Sequence, residues 1–154
     1  MVLIPEELKK LLEEPGTVKV LGTVDERGIP HVVLKDSMKL LDDGTFAYAE
    51  DFDSSKSNKN MVRSIWFDKF VSINISKGEK SYQIIGKPKK CLITGPLFKE
   101  FLIRERAGND SDIQSVWIIT PLEVRDQSRM VRRKEEWSKK PYLNFYLDRL
   151  KKAE

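Results

Sequence analysis

The sequence has little cysteine and little histidine, with Cys91 and His31 the single representatives of each among 154 residues. One cysteine cannot form an internal disulfide, which is typical of proteins in the reducing cytoplasm. One histidine excludes multi-histidine metal sites and any Ser–His relay that needs a different histidine. We therefore expect a cytoplasmic protein without a metal centre.

Long apolar runs are also missing, because charged residues interrupt every stretch well before the ~20 residues that a membrane span needs. The segment Met1–Glu7 has neither the basic start nor the apolar core of a signal peptide. Internal repeats and Gly/Ser-rich linkers are absent from the sequence. With 40% hydrophobic residues, the chain has enough apolar material for one folded domain, so we expect a soluble, single-domain protein with no membrane partner.

Charge is abundant but unevenly placed. Residues 125–154 contain ten Lys/Arg and five Asp/Glu, a net charge of +5, so residues 1–124 carry −1 of the total of +4. We interpret this C-terminal segment as a helical extension with a solvated basic face. The strands lack the exposed aromatic residues, interleaved with Lys/Arg, on which nucleic-acid bases stack, so no nucleic-acid partner is expected.

The residue pattern predicts many short strands with a few peripheral helices. Helices are predicted around Leu8–Leu12, over Lys59–Phe67, from Leu97 to about Arg106, and from Met130 to Lys152 with an interruption at Pro141. Strands are predicted over Thr17–Val24, Ile29–Leu41, Thr45–Ala49, Phe70–Ile75, Ser81–Thr94 and Val116–Val124. We expect the first three strands to form an antiparallel meander, and Gly86 to mark a bulge or bend. This pattern favours a mainly β fold, a β-barrel with peripheral helices.

The segment Ser54–Asn60 (SSKSNKN) lies between a predicted strand and a short predicted helix. Three hydroxyl groups and the ammonium group of Lys56 lie there beside the free N–H groups of a helix N-terminus, which suits a phosphate group. The glycines of a Walker A loop are missing, so hydrolysis of a nucleoside triphosphate is not expected. The alternative is that the serines only cap the helix. The local sequence leaves both interpretations open.

The order of the surrounding blocks adds a resemblance. Ile29–Lys35 (IPHVVLK), a turn with Asp43-Gly44, Thr45–Glu50 (TFAYAE) and Ser54–Ser57 together resemble the flavin-binding pattern of the pyridoxamine 5'-phosphate oxidase-like family. The resemblance covers about residues 4–120 and weakens after Gly86. It implies an FMN-binding split β-barrel over residues 1–124, antiparallel and of Greek-key type. It also implies a homodimer with FMN at the subunit interface, and residues 125–154 are then expected to pack on the barrel or on the dimer partner.

The resemblance further implies which residues bind FMN. Those expected against the isoalloxazine ring are His31, Val32, Val33, Leu34 and Lys35. Those expected near the ribityl chain are Ala49 and Glu50, and those expected at the phosphate are Ser55, Lys56, Ser57 and Asn60. The oxidase itself usually has Arg where Ser55 stands and Thr where Glu50 stands. Losing a cation and adding a carboxylate beside a dianion weakens phosphate binding.

The expected function is accordingly that of an FMN-binding protein, a flavin-dependent oxidoreductase served by a small-molecule or nicotinamide electron donor. The Arg-x-His pattern with which the oxidase binds its substrate is missing from the C-terminal part, so vitamin B6 oxidation is not expected. The alternative is a non-catalytic flavin- or haem-binding protein on the same fold, with His31 as the candidate axial ligand of a haem. The sequence nominates no catalytic residue and no substrate.

Overall fold

A computed structural model describes residues 2–107 and 112–140 of the chain. These residues contain, in chain order, α1 (Glu6–Glu13), β1 (Val18–Val24), β2 (Pro30–Leu34), β3 (Lys39–Leu40), β4 (Phe46–Glu50), α2 (Lys56–Trp66), β5 (Val71–Lys77), β6 (Lys80–Leu92), α3 (Pro96–Arg106), β7 (Ser115–Asp126) and α4 (Arg129–Lys139). The regular elements lie close to the stretches that the hydrophobic pattern predicts.

The strands of the described residues form one antiparallel sheet in the order β2-β1-β5-β6-β7-β4-β3, which curls into a half-barrel. The prediction of a mainly β, split-barrel fold is therefore confirmed. The predicted three-strand meander is wrong, because Ile29–Leu41 is not one strand. The turn at Asp36-Ser37 divides it into β2, which pairs with β1, and β3, which pairs with β4 at the opposite edge of the sheet.

The long pairing of β6 with β7 contains the irregularity that the sequence predicts at Gly86. The register shifts between Ile85 and Gly86, so the bulge is confirmed. A Cβ atom at this position would lie 2.5 Å from the carbonyl oxygen of Thr120. Only glycine allows the two backbones to approach each other so closely.

The core explains why β4 has no exposed face. Phe46 and Tyr48 point into the main hydrophobic cluster, together with Trp117 of β7. Ala47 and Ala49 point the other way, into a second cluster that contains Phe101 of α3. Because both faces are covered, the strand is buried along its whole length, including its last residue, Glu50.

The C-terminal part continues the sheet beyond the expected boundary at residue 124, since β7 ends at Asp126. The predicted helix is confirmed from Arg129 to Lys139, and none of its residues is buried. Its predicted continuation past Pro141 lies outside the described residues, and where the extension packs stays a prediction. Within the described part of the chain, no helix is long and apolar enough to cross a membrane.

Candidate functional site

The structure brings together residues from three of the blocks that were expected to form one site. Lys35 follows β2, Glu50 ends β4, and Ser55 and Ser57 lie at the start of α2. The Nζ atom of Lys35 lies 3.1 Å from each carboxylate oxygen of Glu50. The hydroxyl of Ser55 donates to Oε1 of Glu50 over 2.9 Å, and that of Ser57 donates to Oε2 over 3.0 Å. We call these four residues the Glu50 cluster.

The Glu50 cluster is buried, which is unusual for charged side chains. The Glu50 residue is 1% exposed, and the side chain of Lys35 is 11% exposed. An ionised carboxylate is tolerated in such a place only when an opposite charge and several hydrogen-bond donors satisfy it. The ammonium group and the two hydroxyls supply these partners, so the chain provides its own anion at the start of α2.

Ser55 shows that the two interpretations of the serine-rich segment are compatible. As the N-cap residue of α2, its oxygen accepts a hydrogen bond from the backbone N–H of Asn58 over 3.0 Å, which satisfies one of the free donors of the first turn. Its proton is donated to Glu50. The serine therefore caps the helix and also binds an anion, but that anion belongs to the chain itself.

Lys56 and Asn60, which were expected at a phosphate, both turn toward β1. The Nζ atom of Lys56 lies 3.3 Å from Oδ2 of Asp25, just after β1. The amide nitrogen Nδ2 of Asn60 donates to the hydroxyl of Thr23 over 3.0 Å in a buried position. These two side chains therefore hold α2 against β1. Neither contact was evident from the sequence, because the partners are far apart along the chain.

Asp25 accepts two backbone hydrogen bonds in the turn that follows β1. Its Oδ1 atom accepts the backbone N–H groups of Arg27 and Ile29, over 2.8 and 2.9 Å. The hydrogen bond from Ile29, then that from Arg27 and the ammonium group of Lys56, hold the pKa of Asp25 below its usual range. Asp25 is therefore a fixed negative charge that neutralises Lys56.

The residues of β2 divide between its two faces. His31 and Val33 lie on the inner, half-buried side, and Val33 packs against the main core. Val32 and Leu34 lie on the outer face and are 69% and 61% exposed. One side of β2 pairs with β1 and the other is an edge of the described sheet. The five residues expected against a flavin ring therefore do not share one surface.

Ala49 and Tyr48 have different positions relative to the Glu50 cluster. Ala49 packs against the α3 side of the sheet, away from Glu50, while its backbone N–H donates to the hydroxyl of Ser37 over 2.9 Å. Tyr48 points inward, and its ring centroid lies 5.2 Å from Nζ of Lys35. Its buried hydroxyl has no hydrogen-bond partner among the described residues. Burial, with a contribution from Glu50, raises the pKa of Tyr48 well above its usual value, so the phenol stays protonated.

A phosphate group does not fit this arrangement. Glu50 already accepts hydrogen bonds from the hydroxyls of Ser55 and Ser57 and from the ammonium group of Lys35. Lys56 is paired with Asp25. Two like unit charges at ~4 Å repel each other by about 4 kcal/mol at an effective dielectric constant of about 20. A phosphate beside the buried carboxylate of Glu50 would meet a repulsion of about this order.

A separate apolar surface lies on the outer face of the sheet. Val32 and Leu34 are joined there by Phe70 and Leu122, all exposed. Beside them is a groove of about 570 Å³, whose walls come from β1, β5, β6 and β7. A larger cavity, of about 820 Å³, lies between α1, β3 and Arg104, and none of the expected site residues lines it. We therefore regard the Glu50 cluster and the outer face as the functional candidates.

Comparison with known proteins identifies the fold. No family model matches the sequence, and no curated protein matches it. Among solved structures, a putative pyridoxamine 5'-phosphate oxidase from Lactobacillus delbrueckii is 21% identical with a TM-score of 0.63, and the match covers 79% of this chain and 93% of that one. An FMN-binding protein from Syntrophomonas wolfei is 12% identical with a TM-score of 0.65, over 78% and 83% of the two chains.

A third similar structure is that of a haem storage protein. HutZ, the haem storage protein from Vibrio cholerae, is 17% identical with a TM-score of 0.57, over 81% of this chain and 95% of that one. Proteins of this architecture thus include binders of FMN and of haem. The chain has the split-barrel fold of the pyridoxamine 5'-phosphate oxidase-like proteins.

Proposed function

We propose that this protein binds a flavin near the Glu50 cluster and the edge strand β2, and that it is a flavin-dependent oxidoreductase. The observation that carries the proposal is the convergence of Lys35, Glu50, Ser55 and Ser57 in one buried cluster. Charged side chains are almost never buried unless they are paired, and this pair lies where three of the expected blocks meet. The FMN-binding protein with the same fold supports the choice of ligand class. Oxidation of vitamin B6 is not proposed, because the oxidase's substrate-binding pattern is missing from the sequence.

In this proposal a bound flavin supplies the redox chemistry. The chain binds and orients it. The edge of β2 offers backbone N–H and C=O groups, and the Glu50 cluster offers a fixed pair of opposite charges. The phenol of Tyr48 offers a neutral hydroxyl beside them. An exchangeable electron donor, a small molecule or a nicotinamide, completes the proposed reaction.

We also propose a homodimer whose partner subunit covers the outer face of the sheet. The apolar side chains of Val32, Leu34 and Phe70 are exposed there beside the groove. Contiguous exposed apolar surface of this kind marks interaction sites on proteins. A second copy is the occupant that the resemblance of the sequence implies. The proposed dimer therefore removes the exposed half of β2 from water.

A haem-binding function is the second candidate, and His31 is the observation that favours it. The chain's one histidine lies half-buried on the inner side of the edge strand β2. Haem iron takes a histidine as an axial ligand in many proteins. A haem storage protein shares the fold of this chain. In this reading His31 binds the iron and the protein performs no catalysis.

The deciding experiment is spectroscopic titration of the purified protein with riboflavin, with FMN and with haemin. The flavin proposal predicts saturable quenching of flavin fluorescence with one flavin per chain, followed by bleaching of the flavin band when NADH or NADPH is added. A Soret band that disappears in His31→Ala supports the haem function. If a folded protein changes none of these spectra, both functions are refuted.

A further inference from the structure

We propose that Glu50 takes the place of a flavin phosphate, so that the site selects a flavin whose side chain ends in a hydroxyl group, as in riboflavin, over one that ends in a phosphate. This inference rests on the proposed flavin-binding function and adds to it the chemical class of the ligand. It follows from the hydrogen bonds, the charge balance and the burial of the Glu50 cluster.

The hydrogen bonds engage the two serine hydroxyls that were expected to donate to a phosphate, those of Ser55 and Ser57. A serine hydroxyl has one proton to donate. Ser55 and Ser57 each donate that proton to a different oxygen of Glu50, over 2.9 and 3.0 Å. The ammonium group of Lys35 bridges the same two oxygens at 3.1 Å. Of the residues expected at a phosphate, Ser55 and Ser57 are thus engaged with Glu50, Lys56 with Asp25 and Asn60 with Thr23.

The charge balance also disfavours a phosphate. Lys35 and Glu50 form one buried neutral pair, and Lys56 and Asp25 form a second neutral pair at the same end of α2. A phosphate dianion would add two negative charges beside Lys35 and Lys56, whose charges are already neutralised. An uncharged ribityl alcohol adds no charge, so it is not repelled by Glu50 as a phosphate is.

The burial of Tyr48 supplies a partner suited to an alcohol. Its hydroxyl is buried without a hydrogen bond among the described residues, and a buried unpaired polar group is costly. The Tyr48 ring lies beside the ammonium group of Lys35, so the phenol belongs to the same region of the barrel. A ligand hydroxyl both donates and accepts, and it therefore suits a neutral phenol.

The inference is tested by measuring the dissociation constants of riboflavin and of FMN from the quenching of flavin fluorescence. The proteins compared are the wild type, Glu50→Gln and the matched control Glu100→Gln. Glu100 is an exposed carboxylate on α3 that pairs with Lys39, away from the Glu50 cluster. We expect the wild type and the control to bind riboflavin at least about tenfold more tightly than FMN. Because Glu50→Gln leaves Lys35 without a counter-charge, we expect it to shift this ratio at least about tenfold toward FMN, and inorganic phosphate to compete with FMN in that variant.

The possible failures are distinguishable. Equal or tighter binding of FMN to the wild type overturns the inference about Glu50 and leaves the flavin-binding function standing. A folded wild type that binds neither flavin refutes the function itself. If circular dichroism shows that Glu50→Gln does not fold, the ratio of the two dissociation constants in the wild type decides the question. Glu50→Thr, which introduces the residue that the oxidase usually has at this position, then serves as the second variant.

Discussion

The ammonium group of Lys56 lies 3.3 Å from the buried carboxylate of Asp25, which ties the first turn of α2 to the turn between β1 and β2. Lys56 was expected to be the main cation of a phosphate site. Its pairing with Asp25 makes it a structural link between two elements. The buried cation of the candidate site is instead Lys35, which reaches Glu50 from the end of β2.

Replacing the two lysines should therefore have unequal effects on stability. Lys56→Met removes a cation whose side chain is 51% exposed, so we expect the free energy of unfolding to fall by less than about 1 kcal/mol. Lys35→Met leaves the buried carboxylate of Glu50 without its counter-charge, so we expect a loss of about 3 kcal/mol. Urea denaturation measures both. The double variant Lys35→Met/Glu50→Leu should recover much of the loss, and equal effects of the two single variants would contradict this assignment.

Asp25 should contribute to the acid sensitivity of the fold. The backbone N–H of Ile29, with that of Arg27 and with Lys56, holds the pKa of Asp25 below its usual range in the folded state. The unfolded chain has the ordinary pKa of about 3.9. A lowered folded pKa stabilises the protein above the unfolded value, and this contribution is lost as the pH falls below about 4.

The test is the free energy of unfolding as a function of pH. Asp25→Asn should lower the stability near neutral pH and flatten the decline between about pH 5 and about pH 2, because it has no charge to lose. The exposed Asp51→Asn serves as the surface control and should follow the wild-type curve. If the free energy of unfolding of Asp25→Asn falls as steeply with decreasing pH as that of the wild type, other carboxyl groups govern acid unfolding.

Local patterns were sufficient for most elements of the fold, and one failure has a clear physical reason. Apolar residues lie on both sides of Lys35-Asp36-Ser37, and an interpretation that passes over these three polar residues extends a single strand from Ile29 to Leu41. The chain breaks at Asp36-Ser37, where Met38 N–H donates to the carbonyl oxygen of Lys35 in a turn. Asp and Ser are residues that favour turns, and they were the available signal. Which edge of the sheet each half joins depends on tertiary packing.

The sequence was sufficient to predict that the residues of the Glu50 cluster belong to one site. It was not sufficient to predict that the carboxylate of Glu50 would occupy the place of a bound anion there. The order of the sequence blocks placed Lys35, Glu50, Ser55 and Ser57 together, and the structure brings them together. The inward direction of Glu50 follows from the register of β4 against β7, in which Glu50 lies opposite Ser115. No local sequence pattern specifies that register. The register nevertheless decides whether the carboxylate of Glu50 faces solvent or takes the place of a ligand.

Because of the bulge at Gly86, we expect replacement of this glycine by alanine to cost much more stability than the same replacement at Gly22. In Gly86→Ala the new methyl group would lie 2.5 Å from the carbonyl oxygen of Thr120 and 2.9 Å from Cγ2 of Ile119. Relief of such overlap requires movement of the β6–β7 backbone, so we expect a loss of about 2 kcal/mol or more. At Gly22 of β1 the nearest atom would be 3.6 Å away, and Gly22→Ala should cost less than about 1 kcal/mol. Thermal and urea denaturation compare the two, and a tolerant Gly86→Ala would show that the bulge can open.

The outer face of β2 gives a direct test of the proposed homodimer. Val32 is exposed in the single chain, so Val32→Asp should leave the stability of an isolated subunit nearly unchanged. At an interface, each buried valine contributes about 1.5 kcal/mol or more, and a twofold axis counts the substitution twice. We therefore expect Val32→Asp to weaken the dimer at least about tenfold in sedimentation and light-scattering measurements. Ile93→Asp, at an equally exposed apolar residue that lies between β6 and α3 and not on β2, should leave the dimer intact. A wild type that stays monomeric at high concentration, or a dimer that both substitutions leave unchanged, would remove the outer face as the contact between subunits.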